Sequence, residues 1–210
     1  MTLHLQYRLA FHVPILYTHL RLTRFTYDEI PSVSHSYSIA GSFMVYCTSF
    51  DSKIGLIYVA STEKGVCKMS VPRETKKDFL KWLRDNFDDS QVVDNKSRNK
   101  EVIDQMNRYF NGKLAKFTVP VDLMGTPFQT RVWKELTKIP YGTTISYKQL
   151  AKRISTSRGF QAVGRANAAN PIPIIVPCHR VIGTDGSLVG YSAGIKTKEF
   201  LLKLEGALMI

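Results

Sequence analysis

Acidic residues are scarce in this 210-residue chain: 17 Asp and Glu stand against 29 Lys and Arg, a formal net charge of +12. Cysteine is scarcer still. Cys47, Cys67 and Cys178 are the only three, and no two of them form a C-x-x-C pair. A disulfide framework and a cysteine-built zinc site are thereby excluded, and a reducing interior fits best. No apolar run is long enough to span a bilayer. The N-terminus lacks the basic, apolar and small-residue succession of a secretory signal. An intracellular protein is expected, cytoplasmic or, in a eukaryote, nuclear, with no membrane partner. The length leaves room for one large domain or two small ones with real cores.

The basic surplus is uneven. Residues 121–210 hold 12 Lys and Arg against 5 Asp and Glu, residues 44–120 hold 14 against 10, and residues 1–43 hold 3 against 2. A polyanion would be drawn to the C-terminal part, releasing its counterions there. Excess lysine also serves solubility alone, so charge by itself is a weak guide to function.

Along the chain, residues 1–43 form an extension of uncertain order with four of the five histidines, His4, His12, His19 and His35. Their spacing fits no helical ligand pair, and no metal is assigned. From Met44 the pattern becomes regular. Met44–Phe50, Ile54–Ala60 and Gly65–Val71 are expected strands. Lys76–Phe87, with Phe79, Leu80, Leu83 and Phe87 on one face, is an expected helix. Asp88–Lys100 has the composition of a surface loop, Val102–Phe110 of a helix, and Lys116–Val121 of a strand. This first unit, residues 44–121, displays no chemistry, and Cys47 and Cys67 are expected in its core.

The second unit, residues 122–210, opens with Gly125-Thr126-Pro127-Phe128-Gln129. Here a capping threonine, a first-turn proline and a glutamine that closes a capping box announce a helix. Its apolar face carries Phe128, Val132, Trp133, Leu136 and Ile139. Ser146 caps a short helix beginning at Tyr147, and a turn around Thr156-Ser157-Arg158 leads to a second, Phe160–Ala169. Two short helices across a tight turn are a helix-turn-helix candidate, although most such pairs only pack. Thr184–Ser187 is expected as a hairpin turn and Gly190–Gly194 as a flexible loop. A last helix, Lys196–Gly206, ends on Glu205, where a carboxylate faces the wrong end of the helix dipole. That carboxylate invites a specific partner, and His179 is the natural candidate.

The centre of this unit is Asn170-Pro171-Ile172-Pro173-Ile174-Ile175-Val176-Pro177-Cys178-His179-Arg180-Val181. Its prolines favour an extended, stiff backbone. An apolar approach of this kind suits a buried reactive thiol, which needs deprotonation to act as a nucleophile. In an extended segment Cys178 and His179 would point to opposite sides, with a bridging water to carry the proton. On adjacency alone, a structural cysteine beside a hydrogen-bonded core histidine is the commoner case.

Taken together, Asn170-Pro171, Pro177-Cys178-His179-Arg180-Val181, Gly190-Tyr191-Ser192 and Leu201-Leu202-Lys203-Leu204-Glu205-Gly206 resemble the O6-alkylguanine-DNA alkyltransferase family. Gly125–Gln129, Val132-Trp133 and Ile145-Ser146-Tyr147 extend the likeness, which covers about Met44 to Gly206. It implies an α+β protein, with a small mixed α/β (ribonuclease-H-like) domain ahead of a mostly helical, winged helix-turn-helix-like domain. It also implies a monomer that flips O6-alkylguanine out of double-stranded DNA and takes the alkyl group onto Cys178, once and without a cofactor. In that family's pattern His179 is the base, Glu205 orients it, Asn170 supports the site, and Tyr147 helps to rotate the nucleotide. Tyr191, Ser192, Lys198, Val181 and Pro173 fall around the base. Tyr147, Gln161, Ala162, Gly164, Arg165, Ala168 and Arg180 fall on DNA, whose minor groove would suit the small residues. Gln161 stands where the family commonly has an arginine that fills the gap left by the flipped base. Arg158 or Arg165 would then assist it. A helix-turn-helix regulator with a structural cysteine, or a relative that binds damage without transfer, would be the alternatives.

Overall fold

The computed structural model describes residues 44–155 and 159–208. The extension, its four histidines and the turn Thr156-Ser157-Arg158 lie outside the described residues.

The first unit is a sheet between helices. β1 (Val45–Ser52) turns into β2 (Gly55–Thr62), which turns into β3 (Gly65–Met69), all antiparallel. Side chains alternate across such strands. Val45, Ala60 and Cys67 pack with Phe79 and Leu83 of α1 (Lys76–Asn86), while Ile57, Val59, Val66 and Met69 join the larger core with α2 (Lys100–Phe110). Cys67 is wholly buried, and Cys47 is only partly so.

Two expectations need correction here. The supposed loop after α1 contains β4 (Val92–Asp94), which lies parallel to β1 and gives the order β3-β2-β1-β4. Three residues are too short a run to show a period. Conversely, Lys116–Val121 forms no strand, only a single bridge from Val121 to Val66. The backbone of Thr118 donates instead to Gln105 Oε1 (2.9 Å), and Pro120 has no N–H to offer. Gly65 fits this crossing because it has φ +134°, and a Cβ there would lie 2.3 Å from the Pro120 carbonyl oxygen.

The second unit is helical. In α3 (Pro127–Leu136) the expected box is present: Thr126 Oγ1 accepts from the Gln129 N–H, and the Gln129 side chain accepts from the Thr126 N–H. Trp133, 1% exposed, donates its indole N–H to the Ala166 carbonyl at 2.8 Å. That bond fastens α3 to α5 (Gly159–Ala168). Between them, β5 (Ile145–Ser146) leads into α4 (Tyr147–Arg153), again boxed, by Ser146 and Gln149. β6 (Val181–Ile182) pairs with β5 in parallel. The turn at Thr184–Ser187 therefore closes on itself, Gly183 N–H to Ser187 O at 2.8 Å, rather than joining two paired strands as a hairpin would. α6 (Ile195–Leu204) completes the chain. Its Leu201 shares one core with β2, β3, α2, α3 and α5. Among the described residues no helix is long and apolar enough to cross a membrane.

Candidate active site

The stretch before the cysteine is not extended, as its prolines suggest. Asn170 folds it into turns: its Nδ2 donates to the Val176 carbonyl (2.8 Å) and its Oδ1 accepts from the Ile172 N–H (3.0 Å). Val176 N–H returns to Ile172 O, and Ile174 sits at φ +75°, where a β-branched side chain is strained. The rim of β3 clamps the outside, with the Met69 N–H donating to the Pro171 carbonyl at 2.8 Å.

The chain then enters a 3-10 turn, Cys178–Arg180. Adjacent side chains of a turn do not alternate as a strand's do, so the expected geometry of Cys178 and His179 is also revised. Cys178 is 2% exposed. Burial pushes its thiol up to about 11, against the pull of Asn170 and the Lys198 ammonium. The resting group is a thiol, so a nucleophilic role requires a base.

That base is adjacent in sequence and wholly buried. His179 Nε2 lies 2.8 Å from Glu205 Oε1. Burial lowers the pKa of His179, and the cations Arg180 and Lys198 add to the effect against the contrary influence of Glu205. The ring is neutral, and Nδ1 has no partner among the described residues. Burial alone would raise Glu205, but bonds from His179 and Arg180 prevail and bring it to about 2. A permanent carboxylate on one side of a neutral imidazole leaves a lone pair on the other.

Arg180, expected on DNA, is instead part of this interior. It is 6% exposed, with Nε and Nη2 on the Glu205 carboxylate and Nη1 on the Ile139 carbonyl. A buried carboxylate needs a paired cation, and Arg180 supplies it.

Tyr147, first residue of α4, donates to the Gly190 carbonyl at 3.0 Å. Burial and the proximity of Cys178 raise its hydroxyl. Asn167 of α5 lies between the two, with Nδ2 3.4 Å from both Tyr147 Oη and the Cys178 carbonyl. Sequence reasoning missed Asn167. Its signal was an amide in a helix of small residues, on the face turned to the core. Asn167 Oδ1 and the Tyr191 hydroxyl are, with His179 Nδ1, the buried side-chain atoms left without a partner among the described residues. Tyr191 meets the His179 ring edge-on at 6.4 Å.

Lys198 is fully buried, with Nζ donating to the Val181 and Val189 carbonyls (2.6 and 2.7 Å), and burial brings it down to about 8. Val181 packs in the core. Pro173 lines a groove with Asn170, Ala168 and the exposed Ser192. Gln161, Arg165 and Ala168 are exposed along α5, and Ala162 and Gly164 are half-buried. A Cβ at Gly164 would stand 3.9 Å from the Tyr147 ring.

Residues 127–207 match the family model described as 6-O-methylguanine DNA methyltransferase, DNA binding domain. Residues 45–123 match the ribonuclease-like domain of the same family. The chain belongs to the 6-O-methylguanine DNA methyltransferase family. The methylated-DNA–protein-cysteine methyltransferase of Methanosarcina barkeri is 45% identical over 161 residues, 77% of this chain and 97% of that one. The Mycobacterium leprae protein of the same name is 40% identical over 77% of this chain and 93% of its own length. The crystal structure of Mycobacterium tuberculosis OGT in complex with DNA superposes with a TM-score of 0.67 at 40% identity, covering 77% of this chain and 92% of that one. The O6-methylguanine-DNA methyltransferase of Pyrococcus kodakaraensis gives 0.56 at 29%, over 78% and 99%. The methyltransferase architecture is thus an α+β one, a ribonuclease-like domain with a mixed sheet ahead of a helical DNA-binding domain. Among its described residues no cluster of His, Cys, Asp or Glu is arranged to hold a metal.

Proposed function

We propose that this methyltransferase repairs double-stranded DNA by moving the alkyl group of O6-alkylguanine onto Cys178, one group per molecule. The observation that carries this reading is the buried thiol followed directly by a histidine whose Nε2 is pinned to Glu205 while its Nδ1 has no partner among the described residues.

The reaction needs a thiolate, and the thiol proton passes through one bridging water to His179 Nδ1. Sγ then attacks the alkyl carbon in line. The new S–C bond forms as the C–O6 bond breaks, and both electrons of that bond stay with guanine. Guanine takes up a proton at N1 from solvent, and the imidazolium returns its proton to solvent. Holding nucleophile and carbon in one geometry accounts for much of the rate. Donors placed where charge develops on guanine supply more. Tyr147 at N3, Ser192 at O6 and the Tyr191 ring against the base fill those roles, and Asn170 and Lys198 keep the surrounding backbone in place. Because the thioether is stable, each molecule acts once.

To reach Sγ the base must leave the stack, at a cost of a few kcal/mol. Contacts from α4 and α5 offset it. Their small residues Ala162, Gly164 and Ala168 suit the narrow minor groove, Gln161 enters the gap beside the orphaned cytosine, and Arg165 meets phosphate. Every group named comes from one chain, so a monomer suffices.

Incubation with duplex DNA carrying radiolabelled O6-methylguanine tests this. Label should move to the protein, up to one per chain, and map to Cys178. Cys178→Ala should bind the duplex and transfer nothing. Label that stays on bound DNA, or is released repeatedly as product, would exclude the reading.

A further inference from the structure

Glu205 Oε1 is a crowded oxygen. It lies 2.8 Å from His179 Nε2, and accepts from Arg180 Nη2 at 3.0 Å and from the hydroxyl of Tyr109 at 2.7 Å. The first two groups belong to the turn that carries Cys178. The third belongs to α2, 96 residues away in sequence and in the ribonuclease-like domain.

We infer that Tyr109 is a positioning residue for alkyl transfer: its hydroxyl orients the Glu205 carboxylate and thereby keeps the proton of His179 on Nε2. The inference rests on the reading of Cys178 as acceptor and His179 as base.

A buried tyrosine hydroxyl needs an acceptor, but a neutral carbonyl would serve as well as a carboxylate. Three features make this contact more than a satisfied core group. First, the ring cannot swing away. It is wholly buried, with Phe117 at 5.3 Å and Tyr141 edge-on at 6.3 Å. Second, the hydroxyl stays a donor at every working pH, since burial and Glu205 push its ionisation far above the ordinary range. Third, a carboxyl proton on Oε1 would confront the hydrogens of both Tyr109 and Arg180. The hydrogen shared between Oε1 and His179 therefore resides on Nε2. Nδ1 is left as the lone pair that proton removal from Cys178 requires.

The donors also differ in what they are fixed to. Arg180 and His179 move with the cysteine turn, and Glu205 caps α6, where the helix dipole opposes its charge. Tyr109 is anchored elsewhere. It ties the carboxylate to a domain whose own sequence carries no chemistry, and so gives that domain a part in the reaction.

Full-length Tyr109→Phe removes the hydroxyl and keeps the ring. At saturating methylated duplex the single-turnover transfer rate should fall about tenfold or more, the factor for one lost hydrogen bond to a charged group. The duplex Kd should stay within about twofold, since no DNA contact is touched. The imidazole nitrogen-15 signals of His179, recorded without DNA, should show a single Nε2–H tautomer in the unaltered protein and an averaged pair in Tyr109→Phe. Ile103→Val trims the buried core face of the same helix but keeps the hydroxyl and the rings around it, and should retain both the rate and the tautomer.

The proposal is overturned if Tyr109→Phe keeps the parent rate and nitrogen-15 pattern, or if Ile103→Val loses as much. It is also overturned, with no variant needed, if the unaltered protein carries its proton on Nδ1. Should the unaltered protein leave label on DNA, the transfer reading fails instead, while the imidazole signals still report whether Tyr109 holds His179.

Discussion

Arg180 grips Glu205 at both oxygens, Nε to Oε2 at 2.8 Å and Nη2 to Oε1 at 3.0 Å, with neither group facing bulk water. A guanidinium in this fork geometry is an internal counter-ion. Arg180→Ala would leave the carboxylate buried beside a neutral imidazole. The expected loss is about 3–5 kcal/mol of stability, measured by urea unfolding. Duplex affinity and its salt dependence, measured on the folded fraction at low temperature, should be unchanged. A smaller salt slope would return Arg180 to the DNA contacts.

The same carboxylate sets an acid limb. Its folded pKa of about 2 lies below the ordinary 4.5. A depressed carboxylate contributes stability that is present above the unfolded value and lost as pH falls through the folded one. The contribution is on the order of 3 kcal/mol. Unfolding midpoints should therefore drop between pH 5 and pH 2 in the parent protein. Glu205→Gln, weaker at pH 6, should drop less over that span.

Gly190 sits at φ +62°, and a Cβ there would stand 2.9 Å from Tyr147 Oη. Gly190→Ala adds about 1–2 kcal/mol of backbone strain and displaces the Tyr147 hydroxyl. Transfer should slow sharply with little change in the duplex Kd. Tyr147→Ala, which also removes the ring beside Gly164, should impair both, as single-turnover rates and binding isotherms would show.

Gln161 is exposed on α5 and carries no charge, at the position where the resemblance leads one to expect an arginine. Gln161→Arg adds one phosphate-attracting cation, so binding to methylated duplex should tighten and the salt slope should steepen by about one unit. Unchanged or poorer binding would count against the reading that Gln161 enters the gap with weaker duplex affinity.

Local signals predicted much of this molecule. The capping box at Thr126 and the cap at Ser146 marked two helix starts, because a cap is chemistry between groups three positions apart. A carboxylate at the wrong end of α6 pointed to His179, since an unfavourable dipole contact demands compensation. The segment at Lys116–Val121 misled for the opposite reason. Its pattern suits a strand, but a distant glutamine, Gln105, captured the backbone first.

By itself, the sequence determined which residues could do chemistry here: one cysteine in a proline-braced stretch, its histidine, and a charge at a helix end. These depend on residue type and on neighbours within a few positions. Tertiary structure alone decided that Arg180 turns inward, that Asn167 bridges Tyr147 and the cysteine turn, and that Tyr109 reaches Glu205 from another domain. A hydrogen bond 96 residues long leaves no period in the chain. Only packing of the two domains around a shared core brings its ends to within 2.7 Å.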